Sequence, residues 1–275
     1  MRFRLPEKVS VRQNRTMPTA IILAAGRGGR LGALTSERPK CLLRVGVRSL
    51  LEQQLEALRG QGLDSVVVVA GYCAEAVEAE LNGRARLLLN PRHAETNSLF
   101  SLWLAREFAA DGFVLLNADV LFDPEILRRV LDSPHPEALA VERREKFSPE
   151  EMKVELHGER IMALSKELPA ERAHAENVGV LKFSPEGARV LFDRMEELLA
   201  GGAEKQFCPF AFNALADERP LFAVPIDGLP WIEIDFVEDL LRAREEVWPA
   251  ILARCPAPAA VPSKALANPT PAIGN

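Results

Sequence analysis

The sequence lacks any apolar run of the roughly 18 residues that a membrane-spanning helix requires. No apolar segment follows the basic N-terminal stretch, so we expect neither a secretory signal nor a membrane partner. With 34 Lys and Arg against 39 Asp and Glu, the net charge is −5, which argues against nucleic acid as a general partner. The four cysteines form no CxxC pair and no Cys/His cluster with zinc spacing. These absences predict free thiols and a cytoplasmic protein.

The order of predicted elements indicates the fold class. Short strands at 20–24, 65–70, 86–89 and 113–116 alternate with helices at 49–60 and 98–110. This order predicts an α/β fold with a doubly wound, mostly parallel sheet. The second half, which contains a predicted hairpin at 152–166, is interpreted as a smaller mixed α/β lobe. Ligands in such folds bind beyond the carboxyl ends of the strands.

The chain divides into three predicted parts. Residues 1–18 are interpreted as an N-terminal extension and 19–254 as the folded domain. Residues 255–275 are rich in Pro and Ala, and a segment of this composition buries little apolar surface. We therefore expect a flexible tail.

The segment from Leu23 to Leu31 reads LAAGRGGRL and is followed by Pro39 and Lys40. Glycines at a strand end let backbone amides approach a phosphate closely, and Arg30 and Lys40 add positive charge there. The spacing is neither GxGxxG nor that of a P-loop. A tight turn needed only for packing is the alternative interpretation.

This segment resembles the LAAGxGxRL…PK signature of the nucleoside-triphosphate transferase family, and the resemblance extends over most of residues 19–248. It implies the Rossmann-like fold of sugar-phosphate nucleotidyltransferases. It also implies that the following residues contact the nucleotide: Leu23, Ala24, Ala25, Gly26, Arg27, Gly28, Gly29, Arg30, Lys40 and Ala118.

Two aspartates resemble the metal-binding residues of that family. Asp119 follows Asn117 and Ala118 at a predicted strand end, and Asp235 ends the segment WIEID. The resemblance implies that both bind Mg²⁺, and that Arg30 and Lys40 complete the catalytic set. Asp119 as a turn residue and Asp235 as a helix cap are the alternatives.

A narrower resemblance concerns the bacterial choline-phosphate cytidylyltransferases. Residues 90–102 are similar to their N…AxxNxxxSL stretch, which implies CTP as the nucleotide and makes Asn90 and Asn97 candidates to bind its base. Glu176, in a segment similar to E-x-x-G, is a candidate for acceptor binding, together with Lys153 and Trp231. Phe207, Phe210, Phe212 and Trp231 could form an aromatic cage for a quaternary ammonium or belong to the core.

Several charged residues receive a plainer interpretation. Lys166 and Lys182 are interpreted as solvated. The charged run from Glu142 to Lys146 is interpreted as a solvated strand end, with lining of the acceptor site as the alternative. Nothing in the sequence indicates the oligomeric state.

Together, the residues and the resemblance predict a Mg²⁺-dependent nucleotidyltransferase. It would transfer CMP from CTP to a small phosphorylated or phosphonate acceptor, such as phosphocholine, and release pyrophosphate. A sugar 1-phosphate uridylyl- or thymidylyltransferase is one alternative. A nucleotide-binding regulatory module without catalysis is another.

Overall fold

The computed structural model describes residues 17–216 and 218–254. The predicted tail, 255–275, and all but the last two residues of the predicted N-terminal extension lie outside the described residues. Within the described ranges, no helix is both long and apolar enough to cross a membrane. Cys41, Cys73 and Cys208 are free thiols, as predicted.

The strands are β1 (Thr19–Ala24), β2 (Arg44–Val45), β3 (Arg48–Ser49), β4 (Val66–Ala70), β5 (Arg86–Leu89), β6 (Phe113–Asn117), β7 (Val120–Phe122), β8 (Ala138–Arg143), β9 (Lys153–His157), β10 (Arg160–Ser165), β11 (Ala175–Phe183), β12 (Phe222–Pro225) and β13 (Trp231–Glu233). The helices are α1 (Leu50–Gly60), α2 (Ala74–Leu81), α3 (Ser98–Leu104), α4 (Pro124–Asp132), α5 (Pro185–Ala200), α6 (Cys208–Leu215), α7 (Val237–Arg242) and α8 (Trp248–Arg254).

Nine strands form one sheet in the order β5-β4-β1-β6-β11-β8-β12-β10-β9. The first four are mutually parallel, and β11 and β10 run against the common direction of the others. The predicted fold class, a mostly parallel α/β sheet, is therefore confirmed. The strands of the predicted smaller lobe continue this same sheet, because β11 pairs directly with β6.

The central strands are buried on both faces, which explains their nearly continuous apolar sequences. In β1, Ile22 faces one core cluster and Ile21 the other, and Val68 and Val69 divide in the same way in β4. Burying each such side chain stabilises the fold by roughly 1.5–3 kcal/mol. A third cluster, which includes Leu31, packs the glycine-containing loop against the C-terminal helices.

Side-chain hydrogen bonds fix the starts of three helices. Ser49 and Glu52 form a capping box before α1, Asp123 accepts from the Glu125 amide, and Ser184 accepts from the Gly187 amide. Each such cap contributes about 1 kcal/mol.

The C-terminal helical segment contains an irregular turn. A π-helical turn, Ala243–Val247, joins α7 to α8, which continues to Arg254. Arg254 Nε lies 2.7 Å from Oδ2 of the buried Asp123, which anchors the last described helix to α4.

Candidate active site

A small two-stranded sheet brings together carboxylates that are far apart in the sequence. Strand β7, directly after Asp119, pairs antiparallel with β13, and the Ile234 amide donates to the Asp119 carbonyl over 3.0 Å. Asp235 therefore lies beside Asp119, at the carboxyl end of the parallel strands. The end of β13 places Glu233 there as well.

Lys40 lies between the two aspartates. Its ammonium nitrogen is 2.9 Å from Asp119 Oδ2 and 2.5 Å from Asp235 Oδ1, and the residue is only 9% exposed. Arg30, which is half exposed, approaches Asp235 Oδ2 to 3.2 Å. The structure therefore brings together Arg30, Lys40, Asp119 and Asp235, the residues that the sequence nominated as catalytic.

The charges of this cluster are strongly coupled. Burial alone would lower the pKa of Lys40, but Asp119 and Asp235 outweigh it and raise that pKa above its usual value. Burial would raise the pKa of Asp235, but Lys40 and Arg30 hold it below the usual value. Burial, and then the charges of Asp119 and Asp235, raise the pKa of Glu233 to about 8. The raised pKa of Glu233 therefore reflects three carboxylates placed close together around one buried ammonium group.

These carboxylates are suited to a divalent cation. Asp119, Glu233 and Asp235 each offer an oxygen within 4.8 Å of the others. Asp119 Oδ1 is buried and has no hydrogen-bond partner among the described residues. Mg²⁺ binds through one or two carboxylates together with substrate phosphates, so the donor set fits the expected metal.

Two glycines allow close contacts in the site. Gly28 has φ +68°, and a Cβ there would lie 3.0 Å from Lys40 Cβ. Gly179, in β11, has φ +79°, and a Cβ there would lie 2.8 Å from Asn117 Nδ2. Any other residue would therefore displace Lys40 or Asn117.

A cavity of about 340 Å³ opens beside the carboxylates. Among the nucleotide-binding and catalytic residues nominated from the sequence, it is lined by Leu23, Ala25, Gly26, Arg30, Asn97, Asp119 and Asp235. An adjoining cleft is lined by Ala24, Gly28, Lys40 and Ala118. Neither is lined by Arg27, whose guanidinium lies over the Tyr72 ring, or by the exposed Gly29.

The two candidate base-binding asparagines have different surroundings. Asn90 is buried, and its amide group donates to Thr96 and Ser101 and accepts from the Arg92 amide. These bonds hold the loop before α3 and leave no donor of Asn90 free. Asn97 lines the cavity, and its Oδ1 accepts from the Ser98 amide. Asn97 is therefore the better placed of the two.

The acceptor-binding candidates do not line the cavity. Lys153 is buried, and its ammonium group donates to the carbonyl of Lys166. Glu176 and Trp231 lie beside the cavity in a cluster around Arg144. The expectation for Lys153 does not fit this geometry, because its buried ammonium group is already bonded to a backbone carbonyl.

Other cavity-lining residues were missed from the sequence. They include Lys166, which was interpreted as solvated, and Glu233, Asn117, Asn177 and Met152. Residues two apart in a strand lie on one face. The prediction that Asp235 is in the site could therefore have placed Glu233 there as well. No comparable signal marked Lys166, since its position depends on the β9–β10 hairpin.

Of the aromatic cage candidates, Phe212 is buried, whereas Phe207 and Phe210 are exposed. Phe207 and Phe212 line the cavity, and Lys166 Nζ lies 5.7 Å from the centre of the Phe207 ring. These aromatic rings therefore do not enclose a site for a quaternary ammonium group.

Comparison with known proteins identifies the family. Residues 20–198 match the MobA-like NTP transferase domain. The chain belongs to this family. The match includes the glycine-containing loop, Lys40 and Asp119, and it ends before Asp235.

Two curated relatives and one solved structure illustrate the similarity. The bifunctional IPC transferase and DIPP synthase of Rubrobacter xylanophilus is 31% identical over 83% of this chain and 51% of its own length. Choline-phosphate cytidylyltransferase of Streptococcus pneumoniae is 37% identical over 38% of this chain and 45% of its own length. The MobA-like chain thus spans about half the length of these relatives. A structure of the CTP:phosphocholine cytidylyltransferase of Streptococcus pneumoniae superposes with TM-score 0.72 at 24% identity, covering 83% of this chain and 99% of that one.

Proposed function

We propose that the chain is a nucleotidyltransferase that transfers CMP from CTP to a small phosphorylated or phosphonate acceptor and releases pyrophosphate. One observation carries this proposal. The buried ammonium of Lys40 contacts Asp119 and Asp235 directly beside the glycine-containing loop, at the edge of one cavity. Carboxylates beside an anion-binding loop would repel a triphosphate unless a cation lay between them, which supports a bound metal ion.

The proposed chemistry is attack of an acceptor oxygen on the α-phosphorus, with pyrophosphate leaving. The acceptor phosphate is already anionic near neutral pH, so no general base is required. Catalysis then consists of positioning and of neutralising charge. Lys40 and Arg30 would oppose the charge of the triphosphate. Asp119, Asp235 and Glu233 would hold Mg²⁺, which when bound supplies further neutralisation of the phosphate oxygens.

The name of the Streptococcus pneumoniae relative supports CTP as the nucleotide, and Asn97 is the polar side chain best placed to contact the base. We expect a higher kcat/KM with CTP than with UTP, dTTP, ATP or GTP. The experiment measures pyrophosphate release with each nucleotide against one panel of phosphomonoesters and phosphonates. A higher kcat/KM with UTP or dTTP and a sugar 1-phosphate would instead assign the sugar nucleotidyltransferase activity.

Lys166 is the cavity lysine that we assign to the acceptor phosphate, in place of Lys153. Its side chain lines the cavity and lies 3.6 Å from Glu150, the carboxylate that also contacts Arg30 at 2.9 Å. Replacing Lys166 with Met should raise the KM for the acceptor about 10-fold or more, because one charge-assisted hydrogen bond is lost. The KM for CTP should change little.

Steady-state kinetics with each substrate varied in turn checks this expectation. Lys205→Met is the matched control, because Lys205 is exposed and does not line the cavity. An unchanged acceptor KM in folded Lys166→Met protein would remove Lys166 from the acceptor site.

A further inference from the structure

The guanidinium of Arg144 is surrounded by carboxylates and one aromatic ring. It donates to Glu142 over 2.5 and 2.8 Å and to Glu151 over 3.2 Å, and it lies 3.0 Å from Glu176 Oε2. Its central carbon lies 5.8 Å from the centre of the Trp231 ring. Arg143, Glu145 and Lys146 are exposed, as the interpretation of a solvated strand end expected. Arg144 is 36% exposed, but these contacts hold its guanidinium.

Backbone pairing builds this cluster. Glu176, in β11, lies opposite Glu142 in β8 and opposite Lys153 in β9, and the Asn177 amide donates to the Met152 carbonyl over 2.9 Å. The loop before β9 thus brings Glu151 to the same place. Glu176 has a side chain only 7% exposed, so its carboxylate is largely removed from water.

The cluster borders the cavity. Met152, Asn177 and Glu233 line the cavity. Glu151 and Glu176 are direct sequence neighbours of the first two, and Trp231 lies two residues before Glu233 on the same strand. The Arg144 cluster therefore lies next to the wall of the cavity that contains Lys166.

Carboxylates and a tryptophan face are the groups that recognise an organic ammonium ion. Here a guanidinium of the same chain already occupies them. A positively charged acceptor would have to displace Arg144 from three carboxylates or lie beside it with like charge. Arg144 is the charge that favours the ionised form of the largely buried Glu176. Displacing it therefore has a cost, and both routes disfavour a cation.

We propose that Arg144 determines acceptor specificity, because its own guanidinium occupies the carboxylates and the Trp231 face that would otherwise bind an ammonium ion. The preferred acceptor then carries no positive charge on its organic group. This inference rests on the proposed function. It assigns Arg144 as a specificity residue and narrows the acceptors to phosphomonoesters or phosphonates with a neutral or anionic organic part. Phosphocholine and other ammonium-bearing acceptors become poor substrates.

The first test compares phosphocholine with sn-glycerol 3-phosphate, which has an uncharged organic part, by kcat/KM at saturating CTP. We expect the unmodified protein to favour glycerol 3-phosphate by about 10-fold or more. Arg144→Met should raise kcat/KM for phosphocholine about 10-fold relative to glycerol 3-phosphate. Arg144→Lys, which keeps a cation, and the neighbouring exposed Arg143→Met should retain the original preference.

The second test does not depend on transfer. Choline chloride is titrated into each variant by calorimetry after a melting curve has shown that the variant is folded. We expect choline to bind Arg144→Met at least about 10-fold more tightly than the unmodified protein or Arg144→Lys. Equal binding to Arg144→Met and the unmodified protein, including no measurable binding to either, would overturn the proposal, as would a native preference for phosphocholine. Absence of transfer with every acceptor would contradict the proposed function alone, and the choline titration would still decide the role of Arg144.

Discussion

Replacing Lys40 with Met should lower turnover by about 100-fold or more, the loss that accompanies removal of one preorganised donor from a transition state. Lys40 is the buried cation of the site, and its ammonium contacts both Asp119 and Asp235. Without it, the three carboxylates, whose oxygens lie within 4.8 Å of one another, would lose their buried counter-ion. The loss should therefore appear in kcat with the nucleotide and acceptor both saturating.

The same substitution should lower the melting temperature of the metal-free protein, because the carboxylates lose their counter-ion. Added Mg²⁺ should then raise the melting temperature of Lys40→Met more than that of the unmodified protein, since the vacated charge is replaced by the metal. Turnover and melting curves with and without Mg²⁺ separate the two effects. A folded Lys40→Met protein with a near-normal rate would rule out the proposed role of Lys40.

Replacing Asp119 or Asp235 with Asn should lower turnover at ordinary Mg²⁺ by at least 100-fold, because each removes one charged ligand from the proposed metal site. The melting temperature should fall little. In Asp119→Asn, Lys40 keeps its contact with Asp235, and one source of the raised pKa of Glu233 is removed. The measurement is turnover against Mg²⁺ concentration, with a melting curve for each metal-free variant.

Asp123→Asn is the matched control, since Asp123 caps α4 and contacts Arg254 instead of lining the cavity. It should lower the melting temperature and leave the Mg²⁺ dependence unchanged. If Asp119→Asn or Asp235→Asn behaved as this control does, the carboxylate would be a structural turn or cap residue.

Local signals allowed much of the fold to be predicted from the sequence. The Val run of β4 indicates a strand buried on both faces, and Ser49 with Glu52 marks the start of α1. The glycine-containing loop and Asp119 were placed at strand ends because parallel strands direct their carboxyl ends to one edge. These features depend on short stretches of chain, which is why the sequence alone revealed them.

The remainder depends on contacts between distant segments. The pairing of β7 with β13 joins segments that are far apart in the sequence, and no local pattern indicates which strands pair. The hairpin position of Lys166 and the Arg144 cluster depend on the pairing of β8, β9 and β11. No spacing in the sequence encodes those distances. The sequence therefore suggested Lys153 as the acceptor-binding lysine, whereas Lys166 is the lysine that lines the cavity.

The most direct test of the central claim is product formation by the purified chain with CTP, Mg²⁺ and a panel of phosphomonoesters and phosphonates. We predict equimolar pyrophosphate and a CMP–acceptor conjugate identified by mass, both abolished by chelating the metal and both strongly reduced in Asp119→Asn. If CTP binds but neither product forms with any acceptor or with any other nucleoside triphosphate, the chain is a nucleotide-binding regulatory module and the proposed activity is wrong.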